Sequence, residues 1–181
     1  MIKKATFLIL ASILVLSACS NSKEQNEESK DQKHENHMNH NSESKALEDM
    51  TSTKKGKFKP GDKVTITTAH MPGMKSAEAT VKGAYKTHAY VVSYKPTNGD
   101  EKINNHKWVV NEEIKDAPEK GLEKGDTVKL EADHMDGMKG AQAKIDDVKN
   151  TTVYMLDYKS TKNNKMVKNH KWMIGDELKP R

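Results

Sequence analysis

Cysteine is nearly absent from this 181-residue chain: Cys19 is the only one. A lone thiol excludes a disulfide within the chain and any zinc site built on two or more thiolates. Aromatic residues are scarce at 5%, and apolar residues reach only 34%. Ordinary globular domains run at roughly 45–50% apolar, so small domains plus a polar, unfolded piece are expected rather than one large core. Neither sign of charge dominates. Lys and Arg number 31 against 26 Asp and Glu, a net +5 that is too weak to argue for a nucleic-acid partner. No P-loop, nucleophile elbow, HExxH or paired-carboxylate motif is present, so no enzymatic activity is expected. No apolar run approaches the roughly 20 residues of a membrane-spanning helix.

Against these shortages stand ten Met and eight His. Thioether and imidazole supply most of the soft or borderline metal ligands the chain owns. The first residues have two lysines, an apolar run from Ala5 to Leu16, and then Leu16-Ser17-Ala18-Cys19. That order reads as a secretory signal over residues 1–18. Its end resembles a bacterial lipobox, which implies cleavage before Cys19, lipid attachment there, and anchoring on the outer face of a Gram-positive cytoplasmic membrane. Two or more acyl chains make such an anchor stable.

Residues 19–57 are polar, with Met38, Ala46, Leu47 and Met50 as the apolar exceptions. No period of 2 or 3.6 survives there, so the segment reads as a disordered tether. Within it, His34, His37, Met38 and His40 fall in seven residues. A flexible segment of this kind can wrap an ion, while the plainer reading is a polar linker that contains histidines.

The remainder repeats itself at an offset of 64 residues without a gap. Residues 58–114 align with 122–178, and 20 of 57 positions are identical. Pro118 and Gly121 mark the junction, giving repeats over 58–117 and 118–181. Alternating segments such as Val64 to Ile66, Ala77 to Val81 and Ala89 to Tyr94 read as strands, with a turn at Asn98-Gly99. The expected fold class is all-β: two small, tandem, SH3-like or open β-barrel domains. The chain is expected to be a monomer.

The identities gather in two blocks. One is His70, Met71, Gly73, Met74 and Lys75, matched by His134, Met135, Gly137, Met138 and Lys139. The other is Asn105, His106, Lys107 and Trp108, matched by Asn169, His170, Lys171 and Trp172. Core positions drift between similar apolar residues, such as Ile66/Leu130 and Val81/Ile145, as packing tolerates. The blocks do not drift at His, Met or Trp. Thioethers select Cu(I), imidazole also suits copper, and hard cations prefer oxygens that the blocks scarcely supply. One Cu(I) site per repeat is therefore expected, from His70 or His106 with Met71 and Met74, and from the corresponding His134, His170, Met135 and Met138. Strand alternation would put Trp108 beside His106, and Trp172 beside His170, as a cap on the ion. The plainer alternatives are Met as core filler, Trp as core aromatic and His bonded to backbone. Met155, Met166 and Met173 lack a matching Met and read as packing or surface.

These blocks resemble the YdhK family of Firmicute lipoproteins, long described as a domain of unknown function. The resemblance rests on residues 70–77 and 105–113 and on their copies at 134–141 and 169–177. With the lipobox and the His-containing tether, the whole chain is similar to staphylococcal surface lipoproteins of copper resistance. That resemblance implies Cu(I) binding outside the membrane and protection from copper alongside a copper-exporting ATPase. Two other readings are carried forward: a module binding teichoic acid or peptidoglycan, and zinc or Cu(II) capture led by the tether.

Overall fold

A computed structural model describes residues 43–181, with side chains from residue 46 onward. The signal segment, Cys19 and the His34, His37, Met38 and His40 cluster lie outside the described residues. Seven strands form one sheet: β1 (Lys63–Ile66), β2 (Glu78–Tyr94), β3 (Ile103–Val110), β4 (Thr127–Lys129), β5 (Gln142–Lys159), β6 (Met166–Ile174) and β7 (Leu178–Pro180). Every pairing is antiparallel. The all-β expectation holds.

The two strands expected at the middle of each repeat are in fact one long strand. In β2 the polar stretch from Lys82 to His88 runs straight on, because β5 supplies a continuous partner from Ala79↔Tyr158 to Tyr94↔Ala143. Thr87 pairs with Thr151, its own counterpart in the other repeat. A pseudo-twofold axis therefore passes through this pair. Lys82 and Asp146, again counterparts, sit at the register shifts of β2 and β5, and such bulges sharpen the local twist.

That twist closes each end of the β2–β5 ribbon into a lobe. The first core holds Val64, Ile66, Met74, Ala77 and Val81 from the first repeat, and Tyr154, Leu156, Tyr158, Met173 and Leu178 from the second. The second core holds Tyr90, Val92, Tyr94, Val109 and Ile114 from the first repeat, and Leu130, Met138, Ala141 and Ile145 from the second. Each lobe thus takes the first half of one repeat and the second half of the other. The residue 117/118 boundary divides the sequence into its repeats but does not separate two packed cores.

A third buried cluster gathers Ala89, Val91, Trp108, Val110, Val153, Trp172 and Ile174 from both repeats. Met50 is buried in it, and Leu47 packs against it. Those two residues belong to the segment read as disordered. From residue 43 onward that reading is corrected: a short helix α1 (Glu43–Asp49) leads into Thr51, which accepts from the Lys86 N–H, and Thr53, which donates to the Ala84 carbonyl. Leu47 lies in α1 and Met50 directly follows it, two apolar residues that are too few to register as periodicity.

Candidate metal site

The two His-Met loops are built by glycine and by the opposite repeat. Gly73 and Gly137 have φ of 89° and 73°, the left-handed region where a side chain is strained. The Gly73 carbonyl accepts from Thr161 N–H and the Gly137 carbonyl from Thr97 N–H, both at 2.9 Å. A Cβ at Gly73 would run into Ser160 and Lys162, and one at Gly137 into Asn98 and Pro96. Each loop therefore rests on the hairpin turn of the other repeat.

The strands carrying the second block are irregular where the block lies. Asn105 and Asn169 have φ of 54° and 51°, a conformation Asn tolerates better than most residues. Their N–H groups bond Ser93 Oγ at 3.1 Å and Asp157 Oδ1 at 2.8 Å. Tyr90 faces Val109 and Val92 faces His106, so Lys107 and Trp108 together oppose Val91. This bulge breaks the two-residue alternation. Trp108 and Trp172 turn into the third buried cluster, and neither lines the cavity that His106 and His170 face. The indole cap expected over the ion is corrected on this ground.

That cavity, of about 470 Å³, is lined by His70, Met71, His106, His134, Met135 and His170, with Lys107 and Lys171 at the same strand positions of the two repeats. All four imidazoles of the two blocks meet at one place. Met74 and Met138 do not join them. Each is fully buried in a lobe core, where an unbranched thioether fills space. The expectation that they ligate is corrected, and the remaining candidate donors of the two repeats line one cavity rather than two.

Two glutamates hold the loop histidines, and the sequence reading missed both. His70 Nε2 donates to Glu177 Oε1 at 2.8 Å, and His134 Nε2 donates to Glu113 Oε1 at 2.9 Å. The other oxygen of Glu177 accepts from Trp108 Nε1 at 2.9 Å and from the Ile174 N–H at 3.1 Å. That of Glu113 accepts from Trp172 Nε1 at 3.1 Å and from the Val110 N–H at 3.2 Å. Both glutamates lie in one-turn 3-10 segments, Asn111–Glu113 and Gly175–Glu177. Their identity between the two repeats was the available signal.

Burial alone would push the Glu113 carboxyl up. His134, Lys171 and the Val110 N–H outweigh it and hold it below the usual carboxylate range. Burial likewise raises Glu177, but the bond and charge of His70, then Trp108 and Ile174, bring it down. Both are therefore carboxylates, which accept only, so the hydrogen sits on Nε2 of each partner ring. In a neutral ring this leaves Nδ1 as the lone pair, the second-shell arrangement that orients metal-bound histidines.

His106 and His170 are lowered to about 3, first by burial and then by neighbouring imidazoles. They stay neutral across the physiological range and need shed no proton to ligate. Buried nitrogens without a hydrogen-bond partner are His70 Nδ1, His106 Nε2, and Nδ1 and Nε2 of His170. Buried polar atoms are normally satisfied, and an exception calls for a role. Among the described residues, no three His, Cys, Asp or Glu side chains are grouped to hold an ion unaided. The further donors the cavity offers are the thioethers of Met71 and Met135.

Two repeats of one motif, closing an antiparallel sheet around a shared histidine cavity, define an all-β protein of tandem-repeat type. The chain belongs to the family described as protein of unknown function (DUF1541), which matches residues 60–111 and 124–175. It is 51% identical over 175 residues to the uncharacterized protein YdhK of Bacillus subtilis (strain 168), spanning 94% of this chain and 85% of that one. A crystal structure of that DUF1541 protein (ydhK) is similar with a TM-score of 0.73 and 58% identity, over 74% of this chain and 91% of the other. The solution structure of the B. subtilis ydhK C-terminal domain is similar with a TM-score of 0.66 and 60% identity, over 68% and 94%.

Proposed function

We propose that the protein is a non-enzymatic copper-binding lipoprotein that sequesters Cu(I) at the outer face of the membrane and contributes to copper resistance. The observation that carries this reading is the meeting of four imidazoles and two thioethers at one cavity, with buried nitrogens left for an ion. The donor set argues for the metal. Thioether sulfur favours Cu(I), whereas zinc sites take nitrogen, thiolate and carboxylate. The glutamate oxygens near the cavity are engaged by imidazole, indole and backbone N–H, so the hard ligands are already in use. Outside the cytoplasm a thioether also avoids the disulfide chemistry that would silence a thiol, although it remains open to sulfoxide formation.

Cys19 as lipid anchor, the tether histidines as a weaker outer site and a copper-exporting ATPase as partner complete the reading. They rest on the sequence and on the likeness of the whole chain to CopL, the staphylococcal copper-resistance lipoprotein. The test is a competition titration of the mature chain against a Cu(I) chelator, repeated with Zn(II). Tight Cu(I) binding that persists when His34, His37 and His40 are replaced by Gln, with weaker Zn(II) binding, is the expected result. Loss of all Cu(I) binding on replacing the tether histidines, or equal retention of zinc by the folded part, overturns it.

A further inference from the structure

The repeats share a cavity, but its donors do not divide by repeat. Met71 packs against the core of the first lobe, whose Tyr158 ring meets His170 edge-on at 5.5 Å. In the second lobe, Tyr94 Oη lies 4.0 Å from Met135 Sδ, and the same ring meets His106 edge-on at 6.0 Å. One tyrosine thus touches the thioether of the second repeat and the imidazole of the first. The His106 and His134 ring centroids are 6.0 Å apart. A centroid separation of this size leaves room for an ion about 2.0 Å from a nitrogen of each ring.

Resting on the copper reading above, we propose that the cavity binds two Cu(I) ions in two half-sites, each built across the repeats: His70 and Met71 with His170, and His134 and Met135 with His106. Each half-site offers two nitrogens and one sulfur. His70 presents its unpartnered Nδ1 because Glu177 holds its Nε2, and Glu113 holds Nε2 of His134 in the same way, which leaves Nδ1 as the ligating nitrogen of that ring. His106 presents Nε2, and His170 has both nitrogens without a partner. Behind each half-site stands one buried carboxylate, Glu177 or Glu113. The two carboxylates offset part of the positive charge that two ions would add to a cavity already lined by Lys107 and Lys171.

The ligand pairing is read out by Cu(I) stoichiometry on the full mature chain with two double variants. In the first, His70→Leu with His170→Leu, both substitutions fall in one half-site, and the protein should lose one ion relative to the parent. In the second, His70→Leu with His106→Leu, both fall in one repeat but in different half-sites, and two ions should be lost. The reverse pattern establishes ligation within repeats and overturns the proposal. Loss of one ion in both variants shows a single shared ion and also overturns it. If the parent binds no Cu(I) beyond its tether, the copper reading itself fails. Should a double variant not fold, Met71→Leu and Met135→Leu serve instead. Each should halve the copper–sulfur signal in X-ray absorption, and an unchanged signal in either refutes the assignment.

Discussion

Thr87 lies opposite Thr151 in the central ribbon, so a residue faces its own copy from the other repeat. This pairing places the pseudo-twofold axis of the two repeats. The lobes, the glutamate–histidine pairs and the cavity each draw on both repeats.

A single repeat should therefore not fold as a monomer. Residues 58–115 alone lack the tyrosines, Leu156 and Met173 that complete the first core, and Leu130, Met138 and Ile145 that complete the second. Sedimentation with circular dichroism should show an unfolded monomer or a symmetric dimer pairing Thr87 with itself. A cooperative melt from a monomeric species would contradict the interleaved arrangement.

The two methionines of one loop should separate stability from binding. Met74→Leu is close to volume-conserving at a fully buried site, and such exchanges usually cost under about 1.5 kcal/mol. It should lower the urea midpoint slightly and leave Cu(I) affinity unchanged. Met71→Leu should do the opposite, weakening Cu(I) binding with little change in the midpoint. The two measurements on each variant check the assignment.

Acid should destabilise the metal-free protein in a defined window. His106 and His170 are lowered to about 3 in the folded state, against about 6.5 in an unfolded chain. Between those values the unfolded state binds protons that the folded state refuses, so stability falls as pH drops from roughly 6.5 toward 3. Glu113 and Glu177, held below their ordinary range, add a loss of the same sign as pH falls through the carboxylate region. Thermal midpoints across pH 3–8 should decline steadily toward acid, and His170→Leu should flatten the upper part of that decline. A flat profile for the parent would contradict the buried neutral imidazoles.

Glu177→Ala should be among the most damaging single substitutions. It leaves the Trp108 indole N–H, the Ile174 N–H and His70 without their acceptor. Leaving a buried donor without its acceptor costs about 1–3 kcal/mol, and here three donors lose theirs at once. Denaturant unfolding followed by tryptophan emission should show the loss, and Glu113→Ala should match it, since Glu113 makes the same three bonds about the axis.

Much of this was legible in the residues. The repeat offset, the strand-forming segments and the His and Met positions could all be read from the chain. The lobes could not. Nothing local distinguishes Tyr90 packing against Ile66, its repeat-mate, from Tyr90 packing against Leu130, the corresponding residue of the other repeat. The identity that exposes the repeat also makes the two partners interchangeable by inspection. Alternation failed at Lys107 and Trp108 because a bulge there depends on what lies across the ribbon. Met74 and Met71 look alike in a motif, and only the three-dimensional core separates them. Glu113 was passed over because its partners, His134 and Trp172, are 21 and 59 residues away.

Covalent fusion of the two copies has a consequence for how the cavity can change. In a symmetric dimer of single repeats, one altered codon would rewrite both sides of the axis together. Here each side has its own codons, and they have already parted: Pro72 stands where the other copy has Asp136, and Lys107 is exposed where Lys171 is buried. Fusion lets a substitution alter one half of the cavity and leave the other as it is.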